Sequence, residues 1–297
     1  MRIVSLVPSA TETLFALGLE DSIVGVTHEC DYPPAARELP AVTGDALPSG
    51  LSSAEIDAAV RDRTLAGAGI YSLDVEELRE LEPDLIVTQR LCAVCAVSHD
   101  DVVEAVADLE PRPQVVALDP STIGEVLGDV RTLAGLTHTN DAGVALIADA
   151  ARRIDAVRLA VRALPRPRVV ALEWFDPPFA AGHWTPQLID YAGGEDMLGL
   201  PGEHSMEISW DDVAAAEPEV VVAMPCGYGA ETARLEALAQ AQRLAGLGAG
   251  RVVAVDASAY FSRPGPRVIE GLELLAHILH PDRVPQAVHA PLEIELA

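Results

Sequence analysis

Short apolar runs rich in β-branched residues alternate along this chain with longer stretches in which apolar positions return every three or four residues. The runs are Ile3–Leu6, Ile23–Val26, Leu85–Thr88 and Val115–Leu118 in the first half, then Val169–Leu172, Val220–Ala223 and Val252–Val255 in the second. Strands followed by amphipathic helices are the signature of parallel βα units, so the pattern predicts an α/β architecture built twice. Between the halves, residues 140–164 carry apolar residues at helical spacing with no Gly or Pro after Gly143, and Pro165 and Pro167 end the pattern. The expectation is a first lobe over 1–138, one long α-helix over 139–164 and a second lobe over 165–297, each lobe a mostly parallel sheet flanked by helices. A helical connector is stiff, where a flexible hinge would be rich in Gly or Ser. Locally, Ser9-Ala-Thr-Glu12 has the form of a capping box that starts a helix, Gly18 ends that helix, and a short helix is expected to begin near Ser53.

Composition narrows the class. At 297 residues and 49% apolar, the chain has enough apolar surface for two ordinary cores. No stretch approaches the roughly 20 apolar residues that cross a bilayer. Met1-Arg2 runs directly into the first strand without the pattern of a secretory signal, so the chain is expected in the cytoplasm, or in the periplasm or outside the cell if it was trimmed. A formal charge of −26 argues against nucleic acid or an anionic membrane surface as a partner, and without a long apolar stretch no membrane insertion is expected. All 20 basic residues are arginine, which fits a GC-rich or salt-adapted genome. Four cysteines are too few for a disulfide scaffold.

The unusual residues cluster just after the strands. His28-Glu-Cys30-Asp-Tyr32 follows the second run, Gln89 to Cys95 the third, Glu173-Trp174-Phe175-Asp-Pro-Pro178 the fifth, Cys226-Gly-Tyr228 the sixth and Tyr260-Phe261-Ser-Arg263 the seventh. In open α/β sheets ligands bind beyond the carboxyl ends of the strands, and two such lobes are expected to share a ligand cleft. Three tryptophans, Trp174, Trp184 and Trp210, all fall in the second half of a chain only 4% aromatic. Trp184 lies in a polar Gly-His-Trp-Thr-Pro stretch, where a large ring has reason to face a ligand.

Four chemistries compete for Cys92-x-x-Cys95. Zinc or iron would take these thiolates with Cys30 and His28 as a four-ligand set, although the usual second close pair is absent. A redox pair needs a helix N-terminus, which Ser98 could cap. Packing of a strand-end loop and lining of a ligand pocket are the remaining readings. No G-x-S-x-G elbow, H-E-x-x-H helix or Gly-rich phosphate loop is present, which leaves a thiol-dependent reaction as the enzymatic alternative.

Four segments, RIVSLVPSATE at 2–12, GVTHECDYPP at 25–34, LEPDLIV at 81–87 and FSRPGPR at 261–267, resemble the vitamin B12-binding, periplasmic-type component of ABC importers. The similarity covers nearly the whole chain. It implies two α/β lobes joined by one long helix, a corrinoid bound between them, a monomer, an importer permease as partner and no catalysis. The family's Pro-Pro-Phe element survives as Pro177-Pro178-Phe179, which implies that Phe175 and Phe179 touch the corrinoid. The family's aromatic residue after the third run is replaced by Gln89 or Arg90, and its tryptophan near Ser205 is missing. Asp100 or Asp101 and Asp211 or Asp212 occupy the places of the acidic residues that dock on the transporter. On this reading Cys92 and Cys95 line the cleft, and His28 and Cys30 lie nearby as cobalt or metal ligands.

Overall fold

All seven apolar runs expected as strands are strands, and most of the segments between them contain helices. The computed structural model describes residues 1–48, 50–66, 69–90, 97, 99–285 and 290–296. These fall into two compact units, one of Met1–Pro120 with Leu127–Ile147, the other of Ser121–Val126 with Ala148–Ala297.

The first unit is built on a four-stranded parallel sheet in the order Ile23–Val26, Ile3–Ser5, Leu85–Gln89, Gln114–Leu118. Strands covered on both faces read as unbroken apolar runs, and residues 85–89 are buried throughout. Successive side chains serve opposite faces. Ile3, Leu85 and Val87 pack with Leu14 and Leu133 in one cluster, while Val4, Leu6 and Ile86 pack with Leu78 and Val102 in another. Each fully buried aliphatic side chain contributes about 1.5–3 kcal/mol of transfer free energy. Outside this sheet, Thr43–Asp45 pairs antiparallel with Tyr71–Leu73, which sets Thr43 opposite Leu73 and Asp45 opposite Tyr71.

The first helix corrects one expectation. It runs Pro8–Ala16 with extended Val7 as its N-cap and no side-chain cap, so Ser9 and Glu12 are not a capping box but buried positions within the helix. Proline at the first helical position already holds the required φ and has no N–H to satisfy, so the helix starts before the serine. Gly18 does close it, at φ +76°. The helix expected near Ser53 runs Ser53–Leu65, and there Ser52 and Glu55 form the reciprocal box. The connector is a single helix, Asn140–Val161, which passes from the first unit into the second.

In the second unit the strands Val220–Ala223 and Arg251–Ala254 extend in parallel from one side of Arg168–Phe175. On its other side Pro178–Ala180 pairs antiparallel, followed by Met206–Glu207. Arg168–Phe175 is therefore where the chain changes direction across the sheet, the position whose carboxyl end is favoured for ligands. Arg153 anchors the connector helix within this unit through a two-pronged bond to Glu273, at 2.8 Å and 2.6 Å. No helix among the described residues is long and apolar enough to cross a membrane.

Candidate functional site

In the first unit the loop after Ile23–Val26 is organised by two threonines. The Thr43 hydroxyl donates to Thr27 Oγ1 at 2.8 Å, so its one proton is committed. It must then accept from the His28 backbone N–H at 3.2 Å and from His28 Nδ1 at 2.8 Å. This network assigns the proton of the neutral imidazole to Nδ1 and leaves Nε2 as the lone-pair nitrogen. His28 is exposed, and its ring leans on Tyr71 at a centroid distance of 5.5 Å. Tyr71 in turn donates its hydroxyl to Glu29 at 3.0 Å. A ring held by one nitrogen with the other open is the arrangement of a ligating histidine.

Cys30 has a different setting. It is buried at 4% exposure, in the core cluster, with its sulfur 3.0 Å from Thr11 Oγ1. His28 and Cys30 therefore do not form one coordination shell, because the strand-end turn sends the sulfur inward and the imidazole outward. Cys92, Cys95 and Ser98 lie outside the described residues. Among the described residues no group of three or more His, Cys, Asp or Glu is gathered for a metal ion. Tyr32 is exposed and Gln89 is buried at the end of its strand. Arg90 is exposed and reaches the His99 ring at 3.2 Å, and His99 meets Asp100 at 3.1 Å. Asp100 and Asp101 are exposed at the start of the helix His99–Ala105.

The second unit divides its aromatic residues between core and surface. Phe175, Trp184, Tyr260 and Phe261 were expected at the ligand, yet all four are buried. Phe175 packs with Leu172, Val213 and Val221. Trp184, the N-cap residue of the helix Thr185–Tyr191, is only 4% exposed and donates its indole N–H to the Phe261 carbonyl at 2.9 Å, so its ring faces the interior rather than a ligand. Trp174, Phe179, Tyr228 and Arg263 are half-buried and Cys226 is exposed. Trp174 and Tyr228 stand ring to ring at 5.6 Å, and the indole nitrogen of Trp174 is buried without a hydrogen-bond partner. Asp212 is engaged in the cap of Trp210–Ala215, where its carboxylate accepts from Ser209 N at 2.9 Å and Ser209 Oγ at 2.6 Å, and these bonds hold it below the usual aspartate range. Asp211 is exposed beside it.

Sequence patterns did not single out Glu173, although it stands in the strand-end motif. Its carboxylate is enclosed by protein even though the residue as a whole is half-buried. Burial pushes its pKa up to about 7, a nearby Asp196 adds to the rise, and hydrogen bonds from Ser205 Oγ and the Gly182 backbone N–H oppose it. Asp196 is also raised by burial; its Oδ1 accepts from Leu198 N at 3.1 Å and Gly199 N at 2.8 Å, while Oδ2 has no partner.

Gly182 permits this arrangement. A Cβ there would stand 2.3 Å from Ser205 N, 2.5 Å from the His204 carbonyl carbon and 2.7 Å from Glu203 O. All three are backbone atoms, so Gly182→Ala should push residues 203–205 off the strand-end turn at a cost of about 1–3 kcal/mol. Urea unfolding measures that cost, and an unchanged midpoint would mean that the segment is not held against Gly182.

The periplasmic binding protein family matches residues 3–257 of this chain. A cobalamin-binding protein of Halobacterium salinarum is 28% identical over 291 residues, covering 94% of this chain and 69% of that protein. Among solved structures, a periplasmic haem-binding protein from Pseudomonas aeruginosa aligns with a TM-score of 0.74 at 20% identity, covering 99% of this chain and 98% of its own. The periplasmic vitamin B12-binding protein of Vibrio cholerae aligns with a TM-score of 0.68 at 20% identity, covering 94% and 96%. At such identity the structural likeness shows the fold alone.

Proposed function

The chain belongs to the periplasmic binding protein family, and on that premise we propose that it is a non-catalytic substrate-binding protein for a corrinoid, delivering it to an importer permease. The ligand choice draws on the cobalamin-binding relative that spans 94% of the chain. Charge favours the same choice. The net charge of −26 repels the two carboxylates of haem, whereas the periphery of a cobalamin carries neutral amides. Asp100, Asp101 and Asp211 are exposed carboxylates of the kind a permease arginine can meet, while Asp212 is held in its helix cap.

The observation that carries the reading at residue level is His28. Its Nδ1 is tied to Thr43 and its ring is exposed, so Nε2 is set to take a lower axial position on cobalt. Tyr32, in the same unit, is an exposed aromatic ring on which a macrocycle can rest. Titration with micromolar hydroxocobalamin should shift the visible bands as imidazole replaces the corrinoid's own lower base. His28→Ala should abolish the shift and leave weaker binding through the aromatic surface. Absence of any interaction at micromolar corrinoid, or tighter binding of haemin in a parallel titration, would overturn the ligand assignment.

A further inference from the structure

A second imidazole site lies in the other unit, and the proposed corrinoid chemistry does not use it. His183 Nε2 and His204 Nδ1 are 3.0 Å apart, with the two rings nearly perpendicular at 88°. The residues are 21 positions apart in sequence, and the backbone brings them together. His183 N–H donates to Glu203 O at 2.6 Å, and Gly202 N–H donates to His183 O at 2.9 Å. The close approach of Gly182 to residues 203–205 locks the same contact, and His183 itself is held at φ +53°, in the left-handed region that a histidine seldom enters. His204 is exposed and His183 half-buried, so the pair opens at the surface.

Two imidazole nitrogens in adjacent positions on an octahedral or square-planar ion, with bonds of about 2.1 Å, stand about 3.0 Å apart. The pair is already at that separation. We propose that His183 and His204 form a bidentate site for a borderline divalent transition cation of the Ni²⁺, Cu²⁺ or Zn²⁺ class. Water completes the coordination, since among the described residues no third His, Cys, Asp or Glu joins the pair. On binding, the proton that now bridges the two rings moves to the donor ring's other nitrogen, which frees both lone pairs for the metal and releases no proton from the neutral pair. Hard oxygen-seeking cations such as Mg²⁺ or Ca²⁺ are not suited to two imidazoles. The acidic chain, with Glu203 and Glu207 on either side of His204 in sequence, raises the local concentration of cations.

The test uses untagged full-length protein, stripped with chelator and treated with iodoacetamide to block Cys226 and any other reactive thiol, titrated calorimetrically with Ni²⁺ at pH 7.5. One equivalent should bind. His204→Asn and His183→Gln retain a hydrogen-bonding amide where the ring nitrogen stood, and each should weaken uptake by more than about tenfold, because the chelate is lost with either ring. Electron paramagnetic resonance of the Cu²⁺-loaded wild type should show coupling to two imidazole nitrogens, a readout independent of how the variants fold. No Ni²⁺ binding by the wild type, or binding undiminished in both variants, would overturn the proposal. Because no corrinoid is present, the result stands apart from the outcome of the hydroxocobalamin titration.

Discussion

Trp184→Ala should lower the unfolding free energy by about 3–5 kcal/mol, the usual cost of deleting a buried large aromatic ring. The ring is 4% exposed, so its removal opens a buried cavity, and the Phe261 carbonyl loses the indole N–H that now meets it at 2.9 Å. Trp184→Phe separates the two contributions. It keeps a buried aromatic ring but loses the hydrogen bond and part of the volume, for about 1–3 kcal/mol. Urea unfolding followed by circular dichroism gives both values, and a corrinoid titration of the folded variants should show affinity near that of the wild type. A small change in stability joined to a large loss of affinity would reverse the assignment and return Trp184 to the ligand.

Glu173→Gln should stabilise the protein, and only at neutral and alkaline pH. Below about pH 4.5 the carboxyl is protonated in both folded and unfolded chains and contributes no pH dependence. Between pH 4.5 and about 7 the folded chain keeps a proton that the unfolded chain has released, so stability falls as pH rises. Above pH 7 the full penalty is in place, about 3 kcal/mol for a shift of that size. Glutamine retains the shape, accepts from the Gly182 N–H and pairs with Ser205 without the charge. Unfolding midpoints of wild type and variant should coincide near pH 4.5 and separate progressively to pH 8. Parallel curves across that range would show that Glu173 ionises freely in the folded protein. Ser205→Ala should act the other way above pH 7, because it withdraws a bond that stabilises the ionised carboxylate.

The architecture was legible because its physical causes are local. Parallel strands buried on both faces need unbroken β-branched runs such as Leu85–Thr88 and Val220–Val222, and a helix of 22 residues needs a long amphipathic register with a proline to stop it. Even here a local rule failed at Ser9, where the neighbouring Pro8 was the stronger helix starter. The site was legible in outline only. Within one set of strand-end motifs His28 and Tyr32 are exposed and Trp174 and Tyr228 half-buried, while Cys30, Phe175 and Phe261 are buried. Within a strand-end turn one residue's rotation reverses the direction of a side chain, and composition does not encode that rotation.

The amino-acid order alone therefore determined the α/β class, the repeated βα plan, the connecting helix and the family resemblance, all of which rest on periodicity and on short contiguous motifs. Tertiary structure decided which nitrogen of His28 is open, that Glu173 is enclosed with Ser205, and that His183 meets His204. Those contacts join residues 15, 32 and 21 positions apart. Such distant partners are set by the packing of whole elements and by one glycine without a Cβ, so no local pattern announces them.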